Sequence, residues 1–220
     1  DHPGDAVMTA GRPTVADPTA GRGPSVVGTG TMALDLARMF GGHPIADPTA
    51  LPPARKHYVL VPPAPESLSL TAAGDDALVT ELGDALRNCV YALQRLASLI
   101  DSVVAPHVAD ADPDYDGPIQ DEAGQDSGSI TIVLPAAATL GEAGYSVTSA
   151  FCGGVLSLAR TLAIELRRQH IRVNTLMVDQ HLPGVVASVA TQVTALMSMP
   201  GVTGQEIYLA DGLDCGRIRP

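Results

Sequence analysis

Short apolar runs alternate along this chain with longer stretches in which apolar residues recur every three or four positions. Ser25-Val26-Val27-Gly28 reads as a short buried strand that turns at 28–30 into a helix over 32–40, stopped by Gly41-Gly42. Residues 43–47 read as a second strand and Tyr58-Val59-Leu60-Val61 as a third. The clearest helix covers 75–104, where Leu78, Leu82, Leu86, Cys89, Leu93, Leu96 and Ile100 form one stripe. Its length suggests a partner surface as well as a core. A strand at 130–134 precedes a second long helix at 146–169, with Phe151, Val155, Ala159, Leu162 and Leu166 on one face. A strand at 171–178, a short helix at 184–198 and a final strand at 206–210 follow. This alternation predicts an α/β fold: a parallel sheet covered on both faces, in three layers.

Composition sharpens the picture. With 220 residues, 45% of them hydrophobic and 17% charged, the chain can build one sizeable core. Gly and Pro crowd the start, so 1–24 read as an extended arm and 25–220 as one domain. Asp110, Asp112, Asp114, Asp116, Asp121, Glu122 and Asp126 mark an acidic insertion at 105–128. The formal charge of −11 argues against nucleic acid and anionic membrane as partners. No run reads as a membrane span, and no basic-then-apolar leader opens the chain.

Cys89, Cys152 and Cys215 are far apart and form no CxxC, which points to reduced thiols in a cytoplasmic protein. Asp112-x-Asp114-x-Asp116-Gly117 is similar to the start of a calcium loop, but Ala123 stands where the bidentate Glu belongs, so a solvated acidic loop is expected. The six histidines show no metal-ligand spacing, and no metal is expected. Arg55-Lys56-His57 is a short basic run before a strand, either solvated or facing a phosphate; Lys56 is the only lysine.

Gly28-Thr29-Gly30-Thr31-Met32-Ala33 is a GxGxxA turn between strand and helix. Such glycines let backbone N–H groups and a helix N-terminus approach a pyrophosphate. Asp47 lies where a ribose-binding acid would sit. Gly28, Gly30, Ala33 and Asp47 are therefore candidate nucleotide-binding residues. The alternative is a tight strand–helix turn, with Asp47 as a turn residue before Pro48.

Several phrases of the C-terminal part come in a telling order: Gly128-Ser129-Ile130-Thr131-Ile132, Gly144-Tyr145, Leu162-Ala163-x-Glu165-Leu166, Ile171-Arg172-Val173-Asn174 and Val202-Thr203-Gly204-Gln205-Glu206-Ile207. Together they resemble the short-chain dehydrogenase/reductase family. The resemblance implies an abridged Rossmann-like, doubly wound parallel sheet. It also implies hydride transfer with NAD(P), in which a tyrosine donates a proton and a lysine four residues later lowers its pKa. Tyr145 fits the tyrosine, but Ser149 replaces the lysine and offers no charge. The family's serine position falls at Leu134-Pro135, with no hydroxyl before Thr139, and Asn88 stands near the helix asparagine out of register. Val178 and Asp179 occupy the place of the Pro-Gly that faces the nicotinamide. One strand–helix unit of the nucleotide half is missing.

This layout resembles the non-catalytic halves or subunits that accompany active ketoacyl and hydroxyacyl-CoA reductases. The expectation is a vestigial Tyr145, no required cofactor (NAD(P) being possible), and pairing with an active subunit, or as a homodimer, through the helices at 75–104 and 146–169. Gly153 and Gly154 would allow another helix to approach closely. The alternatives are a divergent NAD(P)-dependent oxidoreductase using Tyr145, and a nucleotide-binding module.

Overall fold

The computed structural model describes residues 23–51, 55–65, 74–104 and 127–212. The expected arm lies outside these residues over 1–22, as do the acidic insertion over 105–126 and Cys215. Five strands form: β1 Ser25–Gly28, β2 His57–Val61, β3 Gly128–Pro135, β4 Ile171–Val178 and β5 Glu206–Leu209. The helices are α1 Gly30–Met39, α2 Asp75–Val104, α3 Ala136–Leu140, α4 Ser146–Glu165 and α5 Val185–Met197. A 3-10 turn, Leu166–Gln169, prolongs α4.

The strands pair in parallel in the order β1-β2-β3-β4-β5. All eight residues of β4 and seven of eight in β3 are buried, as expected of a parallel sheet covered on both faces. Alternate side chains serve two cores. Tyr58, Leu60, Ile130, Ile132, Ile171 and Val173 pack with α2 and α4. Val26, Val59, Val133, Leu176 and Val178 pack with α1 and α5.

The expected second strand at 43–47 shrinks to one residue. Ile45 pairs with Val27 on the outer edge of β1: its N–H donates to Val26 O (2.9 Å) and its carbonyl accepts from Gly28 N–H (3.0 Å). The chain turns away at Asp47 into Pro48–Ala50, so the pairing stops at this single bridge. The chain then turns through Pro48–Ala50, buries Leu51 on the α2 side and enters β2 on the other side of β1. Direction thus reverses at β1, which makes the sheet doubly wound around a minimal second strand. The steps from β2 to β5 all move the same way. Those to β3 and β4 pass over the α2–α4 face and that to β5 over the α1–α5 face, so the last has the opposite hand.

Helix Ser146–Gln169 is, by length and composition, apolar enough to cross a membrane, contrary to the expectation that no run is. It lies along the sheet, with Phe151, Val155, Ala159 and Ala163 buried. Burial against the sheet accounts for its apolar inner face.

Two glycines permit close approach. Gly28 has φ +139°, and a Cβ there would overlap the Val61 carbonyl oxygen. A Cβ on Gly128 would overlap Cγ2 of Ile100 in α2.

The α5–β5 connection is pinned by β4. Buried Arg172 donates from Nη1 to the carbonyls of Leu196 (2.5 Å) and Met199 (2.9 Å), and from Nη2 to that of Met197 (2.9 Å). Asn174 donates to Val202 O (2.9 Å) and accepts from Gln205 N–H (3.0 Å). Thr203 Oγ1 accepts from Val173 N–H (3.0 Å).

Arg172→Met is expected to strip the carbonyls of Leu196, Met197 and Met199 of their charged donor and cost about 3 kcal/mol, a fall in Tm of roughly 6–12 °C in a thermal melt. A melt within about 2 °C of wild type would refute the clamp. Gly128→Ala should destabilise by about 1–3 kcal/mol in denaturant titration through overpacking against Ile100, and a neutral result would refute that close contact.

Candidate functional site

In doubly wound sheets ligands sit beyond the C-terminal strand ends, where the strand order reverses. Here that place lies between the ends of β1 and β2. Gly28 is buried and its N–H is used by Ile45, so it shapes the turn and leaves no donor for a ligand. Gly30 is exposed, has φ +85°, and a Cβ there would meet nothing within 4 Å. Thr29 caps α1 without a side-chain hydrogen bond, so its hydroxyl takes none of the first helical amides. Ala33 is fully buried and lets α1 press onto the sheet.

Asp47 is exposed, and its Oδ1 accepts from Thr49 N–H at 2.8 Å, capping its own 3-10 turn. That bond holds its carboxyl below the usual range. The side chain is thus engaged as a turn residue, beside the single bridge at Ile45. At the exit of β2, Pro62, Pro63 and Pro65 supply no N–H groups. Pro65 O instead accepts from Thr148 Oγ1 of α4 at 3.1 Å.

Tyr145 caps the N-terminus of α4, partly buried against the α2–α4 core. Its backbone carbonyl accepts from Ser149 N–H at 2.6 Å. Ser149 therefore stands one turn along the helix and brings a hydroxyl, not a charge. Lys56 is at the opposite end of the sheet, where its carbonyl accepts from Ser129 N–H. The eight residues of β3 alone put about 26 Å between those ends. Thr139 Oγ1 donates to Ala136 O within α3 (2.9 Å). Asn88 is exposed on α2. Asp179 accepts from His181 N–H at 2.9 Å and turns the chain towards α5. The crevice thus brings together an open helix N-terminus and, across the β3–α4 side, a phenol with no lysine beside it.

Other chemistry-bearing groups lie elsewhere. Cys89 and Cys152 are free and buried, and burial pushes both thiols up to about 12, where they stay protonated. Among the described residues no three His, Cys, Asp or Glu side chains converge on a metal position. An open cleft of about 540 Å³ runs between α4 and the α5–β5 connection, lined by Arg160, Ala163, Ile164, Arg167, Thr203 and Gly204. Arg160 Nε pairs there with Glu206 Oε1 at 2.6 Å.

At the N-terminal end of the sheet, His57 Nδ1 lies 2.9 Å from the buried Ser129 Oγ. Burial foremost, then the charges of Arg172 and Lys56, lower its pKa to about 4. Sequence reasoning took His57 only as part of a basic run. The strand period puts it on the α5 face, but the register that sets it beside Ser129 comes from the sheet.

No family model matches the sequence, and no curated protein matches it. Solved structures do. A short-chain dehydrogenase/reductase family oxidoreductase from Burkholderia thailandensis aligns with TM-score 0.60 at 17% identity, over 88% of this chain and 93% of that one. A short-chain oxidoreductase from Pseudomonas aeruginosa, described as containing an atypical catalytic center, aligns with TM-score 0.58 at 14% identity, over 88% and 97%. A small-chain dehydrogenase solved in complex with NADPH aligns with TM-score 0.55 at 17% identity, over 86% and 98%. At these identities the likeness is one of fold: the chain has the fold of the short-chain dehydrogenases/reductases.

Proposed function

We propose that this chain is a non-catalytic subunit of short-chain dehydrogenase/reductase fold. It pairs with an active NAD(P)-dependent ketoacyl or hydroxyacyl-CoA reductase in the cytoplasm and supports it. The observation that carries this reading is the position of the cations: Ser149 stands one turn after Tyr145, while the only lysine lies at the far end of the sheet. With no cation one turn on, the Tyr145 phenol gains no help there towards proton transfer. The three prolines leaving β2 and the capping role of Asp47 further reduce what the crevice offers a dinucleotide.

The pairing half of the reading rests on the outer face of α2 and α4. Ala150, Gly153, Ser157 and Thr161 form an exposed row of small residues on α4, followed by Ile164 at 76% exposure. Val79 and Tyr91 are exposed on α2, at 75% and 50%. Small residues let a second helix come close, and exposed large apolar groups gain from being covered. The two glycines divide the work. Gly154 receives Leu86 of α2 within the chain, whereas a Cβ on Gly153 would meet nothing.

A second reading, a nucleotide-binding module, is favoured by the open turn at Gly30 and the uncapped start of α1. The small-chain dehydrogenase neighbour holds NADPH in its crystal structure. A divergent oxidoreductase using Tyr145 is a third reading; one neighbour of this fold is described as having an atypical catalytic center.

Native mass spectrometry of the tagged chain drawn gently from its source cells is expected to show a mixed complex with a second reductase. A monomer carrying nucleotide would favour the binding module, and a pure homo-oligomer would remove the partner. In the mixed complex, Tyr145→Phe should leave ketoacyl reduction within about twofold of wild type. A loss of tenfold or more would hand the chemistry to this chain. Gly153→Leu should weaken pairing at least about tenfold in sedimentation while leaving the melt of the isolated chain unchanged, and unchanged pairing would exclude this face.

A further inference from the structure

His57, Ser129 and Arg172 occupy one row across three neighbouring strands. The sheet register places His57 opposite Ser129 and Ser129 opposite Arg172, on the face covered by α5. His57 Nδ1 and Ser129 Oγ are 2.9 Å apart. Arg172, next in the row, gathers the carbonyls of Leu196, Met197 and Met199 at the end of α5. The segment it holds continues into Gly201, Thr203 and Gly204, one wall of the 540 Å³ cleft.

We propose that this row is an acid-sensitive latch: protonation of His57 puts a second positive charge beside Arg172 and loosens the end of α5 together with the wall of the cleft. The groups that bear on His57 are unbalanced in sign. Arg172 comes from β4 and Lys56 from the residue before His57, both cationic, and β3 gives only the neutral Ser129 hydroxyl. α5 offers carbonyls, and those are bound by the guanidinium. The two charges that lower its pKa are both positive. An imidazolium held there lacks solvent on one side and repels the guanidinium on the other.

The sign follows from linkage. His57 is depressed in the closed state to about 4 against its ordinary 6.5, so the closed state prefers the neutral ring. Closure is fully favoured above pH 6.5, weakens as pH falls from 6.5 to 4, and levels off below 4. The Arg172 clamp lies in the row that takes the new charge and opens first.

The test is amide hydrogen exchange on the full chain from pH 7 to 4.5, corrected for intrinsic rates, for the wild type and His57→Gln. In the wild type, protection of amides 197–204 should drop at least about tenfold between pH 6.5 and 4.5, while that of 130–134 in β3 holds. In His57→Gln, which stays neutral, the drop should vanish. An equal drop in both proteins, or one spread evenly over the sheet, would overturn the latch. NMR titration of the His57 ring in the wild type gives an answer that needs no variant. A midpoint well below 6, accompanied by shifts in Leu196, Met197 and Met199, supports the proposal. A midpoint near 6.5, or one without those shifts, overturns it.

Discussion

A guanidinium buried in an apolar strand holds the C-terminal part of this fold together. Arg172 donates to three carbonyls at the end of α5. Those carbonyls have no partner inside the helix and lie at the negative end of its dipole, so a cation suits them. The cost of burying the charge is offset by the charge-assisted bonds that Nη1 and Nη2 make to those carbonyls. With the helix end fixed, the next residues fall into place: Asn174 takes Val202 and Gln205, Thr203 meets Val173, and β5 is delivered to the edge of β4.

This arrangement explains what the sequence resemblance consists of. Two of the phrases that carry it, Ile171-Arg172-Val173-Asn174 and Val202-Thr203-Gly204-Gln205, are partners in space, joined by hydrogen bonds. They build the scaffold and contribute nothing to the crevice. The positions to which the resemblance assigns chemistry are the ones that differ. Ser149 stands for a lysine, Leu134-Pro135 for a serine, and Asp179 turns the chain where a Pro-Gly is expected. Packing and catalysis draw on different residues, so such a scaffold does not depend on the groups at the crevice.

The N-terminal part of the sheet is built with equally little. One bridge at Ile45 suffices to reverse the winding at β1, so the switch point survives with almost no strand behind it. Among the described residues, what stands at the crevice is a helix start without a side-chain cap, and an open cleft lies along α4. The outer row of α4 and the exposed Val79 and Tyr91 of α2 make the opposite face the more developed surface.

The sequence alone determined the elements with strong local periodicity. The helix over 75–104, the strands at 25–28 and 171–178, and the glycine turn between β1 and α1 all stand where apolar spacing and glycines put them. The position of Tyr145 at a helix start and the lack of a lysine beside it were equally legible, because four residues along a helix is a local distance. The stretch 43–47 was not, since whether a run becomes a strand depends on how long it stays beside its neighbour, and the turn capped by Asp47 leaves a single bridge at Ile45. Which glycine receives Leu86, which carbonyls Arg172 takes, and that His57 meets Ser129 were decided by the tertiary structure. Each joins residues dozens of positions apart, and only sheet register and helix packing fix which of them meet.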